Sequence, residues 1–147
     1  MHRFDASRPL ILGGVTIPDA PGLAGHSDAD VVCHAVADAV LGACGLGDIG
    51  EHFPPGSREW KDASSIVLLE RVAEMARHAG RRVTSVDAVL MLESPKISPV
   101  RDEMRRNLAR VLGTEDIGIK ATTTEGLGPV GRGEGAACMA VALVESE

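Results

Sequence analysis

The apolar positions of PLILGGVTIP form two short runs divided by Gly13-Gly14, which predicts a strand, a tight turn and a second strand. DAPGLAGH shows no period and predicts a loop. Ser27 then stands three residues before Asp30, ahead of VVCHAVADAVLGACGLG. That is a capping-box start followed by helical spacing, so a helix is expected over about 28–44, with Gly45 and Gly47 as its stop. DIGEHFPPGSREWKDA holds Pro-Pro-Gly and no periodicity, and predicts a long loop of the kind that often acts as a lid. Val67, Leu68, Val72 and Met75 give an apolar stripe to a helix over about 64–78, closed by Gly80. The β-branched run RVTSVDAVLMLES predicts a strand. SPVRDEMRRNLARVLG predicts a helix with Ser98 as N-cap, Pro99 at its first position and Gly113 past its end. DIGIKATTTE and GAACMAVALVES predict the last two strands. The order hairpin, helix, helix, strand, helix, strand, strand implies an α+β fold: a single sheet with helices packed on one face.

Composition narrows the function. A chain of 147 residues with 44% apolar content suits one globular domain, 1–147. The net charge of −6, with dispersed basic residues, argues against nucleic acid as partner. A phosphate-rich substrate would then need metal ions or backbone donors near it. No apolar run is long enough for a bilayer, and no signal peptide or basic leader is expected. Cys33, Cys44 and Cys138 form no CxxC pair and read as small buried residues in a reducing cytoplasm. Two Phe, one Trp and no Tyr leave no aromatic platform for single-stranded nucleic acid.

Candidate chemistry gathers in two places. Asp30, His34 and Asp38 stand at i, i+4 and i+8 on one helix face, where a histidine flanked by carboxylates suits a metal ligand with oriented partners; the alternative is a solvated acidic stripe. One histidine cannot hold zinc, which makes His2 a possible second ligand. His26 and Ser27 precede a helix N-terminus, where N–H groups attract phosphate, unless Ser27 is only a cap. In KATTTEGLGPVGRGEG, threonine hydroxyls suit phosphate oxygens and Glu125 suits a magnesium ion; threonines are also simply good strand formers. GLGPVG matches the dinucleotide string, but Pro129 lies inside it and a strand follows, so its glycines are expected to let the backbone turn and closely approach another chain or a ligand. His52 has no evident partner, and His78 fits the dipole of its helix end.

GHSDADVVCHAVADAVLGACGLGDIGEHFP, WKDASS, SPK and KATTTEGLGPVGRGEGAAC, in this order, resemble the 2-C-methyl-D-erythritol 2,4-cyclodiphosphate synthase family of non-mevalonate isoprenoid synthesis. The resemblance implies a cytoplasmic homotrimer with sheets facing the threefold axis and sites between subunits. It implies a metal-dependent phosphorus–oxygen lyase that cyclises 4-diphosphocytidyl-2-C-methyl-D-erythritol 2-phosphate and releases CMP. It places a zinc ion on His2 and His34, and a magnesium or manganese ion on Glu125. It gives His26 and Thr123 roles at the reacting phosphates, and assigns substrate contacts to Ser27, Asp48, Gly50, Lys61, Pro95, Lys96, Ala121, Thr122 and Thr123. Arg132 and Glu134 would pair near the axis, and Pro129 stands where the family usually carries an aromatic residue lining an apolar axial cavity. The family's opening strand and the aspartate of its D-x-H find no counterpart before His2, so a chain lacking that strand is expected. The alternative reading is a truncated, zinc-deficient, weakly active or inactive nucleotide-binding member.

Overall fold

In the computed structural model, which describes residues 1–147, a mixed five-stranded sheet carries the helices. β1 (His2–Leu12) and β2 (Val15–Leu23) form the hairpin. α1 (Val31–Cys44), a one-turn α2 (Ile49–His52), a 3-10 turn (Arg58–Trp60) and α3 (Ser65–His78) follow. β3 (Arg81–Met91), α4 (Arg101–Leu112), β4 (Ile117–Thr122), a one-turn α5 (Gly128–Gly131) and β5 (Gly135–Ser146) complete the chain. The strand order is β2-β1-β5-β3-β4. β3 pairs parallel with β4 through the α4 crossover and antiparallel with β5, while β1 meets β5 only at His2↔Ala136 and Arg3↔Gly135.

Alternation along the strands decides which face is covered. Val83, Val86, Ala88 and Leu90 of β3 point inward, onto a core that also holds Val32, Val36 and Val40 of α1 and Leu69 and Val72 of α3. On β5, Met139, Val141 and Leu143 alternate with the partly buried Ala140, Ala142 and Val144, and remain about two-thirds exposed. One face of the sheet therefore carries the helices and the other shows a row of bare apolar side chains.

The structure moves several predicted boundaries. β2 runs on through DAPGL, because Leu23 and Gly22 pair with Phe4 and Asp5 of β1. A side chain on Gly22 would run into the carbonyls of Arg8 and Pro9, which the bulge in β1 presses against it. α1 begins at Val31 rather than near 28, because Ala29 takes a left-handed φ of 59° that no helix propagates. Its cap is Asp30, not Ser27. α4 begins at Arg101, not Pro99; Val100 N–H closes a turn on the Ile97 carbonyl first, and Ser98 caps nothing. The long predicted loop contains α2 and the 3-10 turn. The close approach expected of the Gly126–Gly131 segment toward another chain or a ligand is instead to itself: a side chain on Gly131 would collide with the backbone of Gly126. All three cysteines are free thiols; Cys33 is buried, while Cys44 and Cys138 are only partly so.

Candidate active site

Two clefts collect most of the predicted residues. The first, about 240 Å³, is lined by His2, His26, Ser27, His34 and Gly50 against an apolar wall that includes Phe53 and Trp60. The second, about 280 Å³, is lined by Pro95, Lys96, Ala121, Thr122 and Thr123 together with Glu93 and Arg101. The two share no lining residue.

In the first cleft, β1 delivers His2 and the second turn of α1 delivers His34, with His2 Nε2 3.0 Å from His34 Nδ1. The register depends on Gly135, since a side chain there would collide with the His2 carbonyl across the β1–β5 pairing. Burial lowers the pKa of His2, and burial followed by the nearby His2 lowers that of His34 from 6.5 to about 4. Both imidazoles are therefore neutral near pH 7, the state in which a ring nitrogen can bind a metal. No cluster of three or more His, Cys, Asp or Glu side chains is assembled for a metal ion. The pair fits as part of a coordination shell, with the remaining positions left to water or substrate oxygens.

The carboxylates predicted to flank His34 do something else. Asp30, fully buried, accepts Gly14 N–H at 2.7 Å and caps α1 through Val32 and Cys33 N–H at 3.0 and 3.1 Å. The Val32 and Cys33 N–H groups at the N-terminus of α1 are thus taken by its own cap and are not free for phosphate beside His26 and Ser27. Asp38 accepts Ile49 N–H at 2.8 Å and so ties α2 to α1. The carboxylate linked to His34 is Asp28, through the Ser65 hydroxyl, and the sequence reading missed both.

The remaining residues fall as follows. His26 Nε2 lies 2.7 Å from the Ser57 carbonyl. Arg8 donates to the carbonyls of Gly25 and Ser27, one on each side of His26. Asp48 caps α2 by accepting Glu51 N–H at 3.0 Å, beside Gly50 but outside the cleft wall. Lys61 is exposed after the 3-10 turn and lines neither cleft. In the second cleft Glu93 accepts both the Thr124 N–H, at 2.8 Å, and its hydroxyl. Thr123 donates to Glu125 at 2.9 Å, and Glu125 itself turns at a left-handed φ of 52°. Arg132 pairs with Glu134 at 2.6 Å. His52 finds a partner after all, in the Leu46 carbonyl at 2.6 Å.

Comparison with known proteins places these features. Residues 1–145 match the model of the YgbB family. The 2-C-methyl-D-erythritol 2,4-cyclodiphosphate synthase of Salinibacter ruber is 55% identical over 99% of this chain and 94% of its own length. That of Chlorobaculum tepidum is 53% identical, with the same shares covered. Among solved structures, a 2C-methyl-D-erythritol-2,4-cyclodiphosphate synthase in a CDP-bound form matches with a TM-score of 0.88 and 35% identity, over 98% of this chain and 95% of that one. The bifunctional IspDF of Campylobacter jejuni matches with a TM-score of 0.95 and 41% identity, over 99% of this chain and 40% of that longer one. The reading of a truncated, zinc-deficient binding protein finds no support in these relatives.

Proposed function

From the premise that the chain belongs to the YgbB family of 2-C-methyl-D-erythritol 2,4-cyclodiphosphate synthases, we propose that residues 1–147 form one synthase domain working as a cytoplasmic homotrimer. It converts 4-diphosphocytidyl-2-C-methyl-D-erythritol 2-phosphate to the 2,4-cyclodiphosphate. An oxygen of the 2-phosphate attacks the β-phosphorus, the bond from that phosphorus to the bridging oxygen breaks, and CMP leaves with that oxygen.

The observation that supports this reading is the division of the predicted residues between two clefts, one holding the imidazoles and the other lined by Pro95, Lys96, Ala121, Thr122 and Thr123, with no shared wall. The bare row Met139, Val141 and Leu143 supplies an apolar face on which neighbouring subunits can associate and bring the two kinds of cleft together. Pro95, Lys96, Ala121 and Thr122 hold the cytidine end. Thr123, freed from Glu125, donates its hydroxyl to the diphosphate, and Lys96 adds positive charge. Ser27 and His26 face the phosphates in the first cleft, while Asp48 and Gly50 shape the pocket for the erythritol. Lys61 closes over the site on the segment that follows Ser57, the partner of His26. His2 and His34 would hold a zinc ion and Glu125 a magnesium or manganese ion. When bound, these ions supply Lewis acidity and neutralise phosphate charge. The protein's own contribution is positioning and exclusion of water, because the nucleophile belongs to the substrate.

Incubation of the metal-loaded chain with the authentic substrate, followed by phosphorus NMR, tests the proposal. One CMP per cyclic diphosphate is expected. An open-chain phosphate product would mark a phosphohydrolase instead, and binding without turnover a nucleotide-binding protein.

A further inference from the structure

The Ser65 hydroxyl is 1% exposed and has one proton to give. Three acceptors lie near it: the Asp28 carboxylate, His34 Nε2 at 2.9 Å and, more distant, the Ser27 oxygen at 3.5 Å. The carboxylate is the strongest acceptor, and it is held in place because its second oxygen takes the Ser65 N–H at 2.9 Å. Asp28 also accepts Asp30 N–H at 3.1 Å, which fixes the carboxylate to the start of α1. With its proton committed to Asp28, the Ser65 oxygen can only accept from His34. The Ser27 hydroxyl, 3.1 Å from the same nitrogen, accepts Ala29 N–H and can give its own proton to the Ser65 oxygen, 3.5 Å away, so that it too accepts from His34. The proton of a neutral His34 then sits on Nε2, and in the metal-free chain its Nδ1 lone pair accepts from His2 Nε2–H at 3.0 Å.

We propose that Asp28 and Ser65 are positioning residues which, by a directional Asp28–Ser65–His34 hydrogen-bond relay, hold His34 in the Nε2–H tautomer and so aim its Nδ1 lone pair at the metal ion. The proposal rests on the assignment of His2 and His34 as metal ligands. The relay joins three elements that lie far apart in the chain: the loop before α1, α1 itself and the first residue of α3. Partners of this kind commonly set ligand affinity by 10- to 100-fold.

Asp28→Ala makes the sharpest test, because it removes the acceptor that commits the Ser65 proton. Asparagine would not serve, since the oxygen that faces the Ser65 hydroxyl also accepts Asp30 N–H and an amide oxygen there would leave the relay intact. In Asp28→Ala the Ser65 hydroxyl donates to His34 Nε2, and the imidazole proton moves to Nδ1, where the metal should bind. Ser65→Ala only removes the bias between tautomers, and Ser65→Thr keeps the hydroxyl.

Zinc is titrated into each metal-free full-length variant against a competing chelator. The tautomer of His34 is read separately, in the metal-free protein, from its imidazole nitrogen shifts by NMR. Expected are about a 10-fold loss of zinc affinity for Ser65→Ala, a larger loss for Asp28→Ala approaching 100-fold, and near-full recovery for Ser65→Thr. The imidazole nitrogens should report Nε2–H in the unaltered chain, a mixture in Ser65→Ala and Nδ1–H in Asp28→Ala. Thermal melting of the metal-free variants identifies any that fail to fold; if Asp28→Ala does, Ser65→Ala and Ser65→Thr decide. Zinc affinity in Asp28→Ala equal to the unaltered chain, or an unchanged tautomer, overturns the relay. Unchanged zinc affinity in His34→Ala overturns the ligand assignment instead, while the tautomer measurement continues to test the hydrogen bonding by itself.

Discussion

Asp30→Ala should destabilise the chain by about 3 kcal/mol. The side chain is fully buried and accepts three backbone N–H groups. Two belong to the first turn of α1, at Val32 and Cys33, which are themselves buried, so neither donor reaches water once the carboxylate is gone. Loss of an N-cap with buried donors costs about 2 kcal/mol. The third donor is Gly14 at the hairpin tip, which is exposed enough to find water, so its bond adds about 1 kcal/mol. Asp30→Asn keeps an oxygen for the cap and loses only the Gly14 bond. Burial raises the Asp30 carboxyl, so the ionised form carries a desolvation cost that the amide avoids. The net loss for Asn is therefore about 1 kcal/mol or less. Urea unfolding of the metal-free variants at one fixed protein concentration separates these values, the concentration being held because association adds to apparent stability. A loss under about 0.5 kcal/mol for Asp30→Ala would refute the cap accounting. If Asp30→Asn instead left stability intact and lowered metal affinity, Asp30 would be acting on His34 as a flanking carboxylate, the role suggested by sequence spacing alone.

Four further outcomes follow from the same geometry. Glu93→Ala frees the Thr124 N–H and hydroxyl and loosens the strand end that carries Thr122 and Thr123; a rise of about 5- to 10-fold in KM, or about 1 kcal/mol, is expected in steady-state kinetics, and an unchanged KM would count against it. Val141→Asp puts a charge on the bare face of β5 and should convert a trimer to monomer by light scattering; a persistent trimer would locate the interface elsewhere. Gly135→Ala forces a methyl against the His2 carbonyl and should reduce zinc retention on dialysis by at least 10-fold, whereas full retention would mean that β1 can shift without moving the ring. The metal-free chain should lose stability as pH falls: His34 has a folded pKa of about 4 against an unfolded 6.5, so the unfolded state binds more protons in that window. The loss is on the order of 3 kcal/mol between about pH 6.5 and 4, and a stability profile no steeper than that of His34→Gln would refute it.

What the sequence could reveal depended on how far apart the interacting residues lie along the chain. The β1–β2 hairpin, α1, α3 and the three later strands follow from apolar period and glycine stops, signals contained within about a dozen residues. The starts of α1 and α4 were misplaced because a cap depends on backbone angles: a left-handed Ala29 and a turn at Val100 look like ordinary residues in the text. The same limit shaped the site. Counting i, i+4 and i+8 put Asp30 and Asp38 beside His34, and both carboxylates turned out to serve backbone N–H groups of neighbouring elements. The carboxylate that reaches His34 is Asp28, which precedes the helix and acts through Ser65, a residue brought to it only when the N-terminus of α3 packs against α1. No periodicity links positions 28, 34 and 65. What could have pointed to them is chemical accounting: a buried imidazole that must present a lone pair on one side needs an acceptor on the other, and that acceptor must have its own proton committed elsewhere. A serine backed by a carboxylate meets both requirements. The relay in this chain is thus a consequence of satisfying buried polar groups, and its direction, from Asp28 outward, decides which nitrogen of His34 is left with a lone pair toward His2.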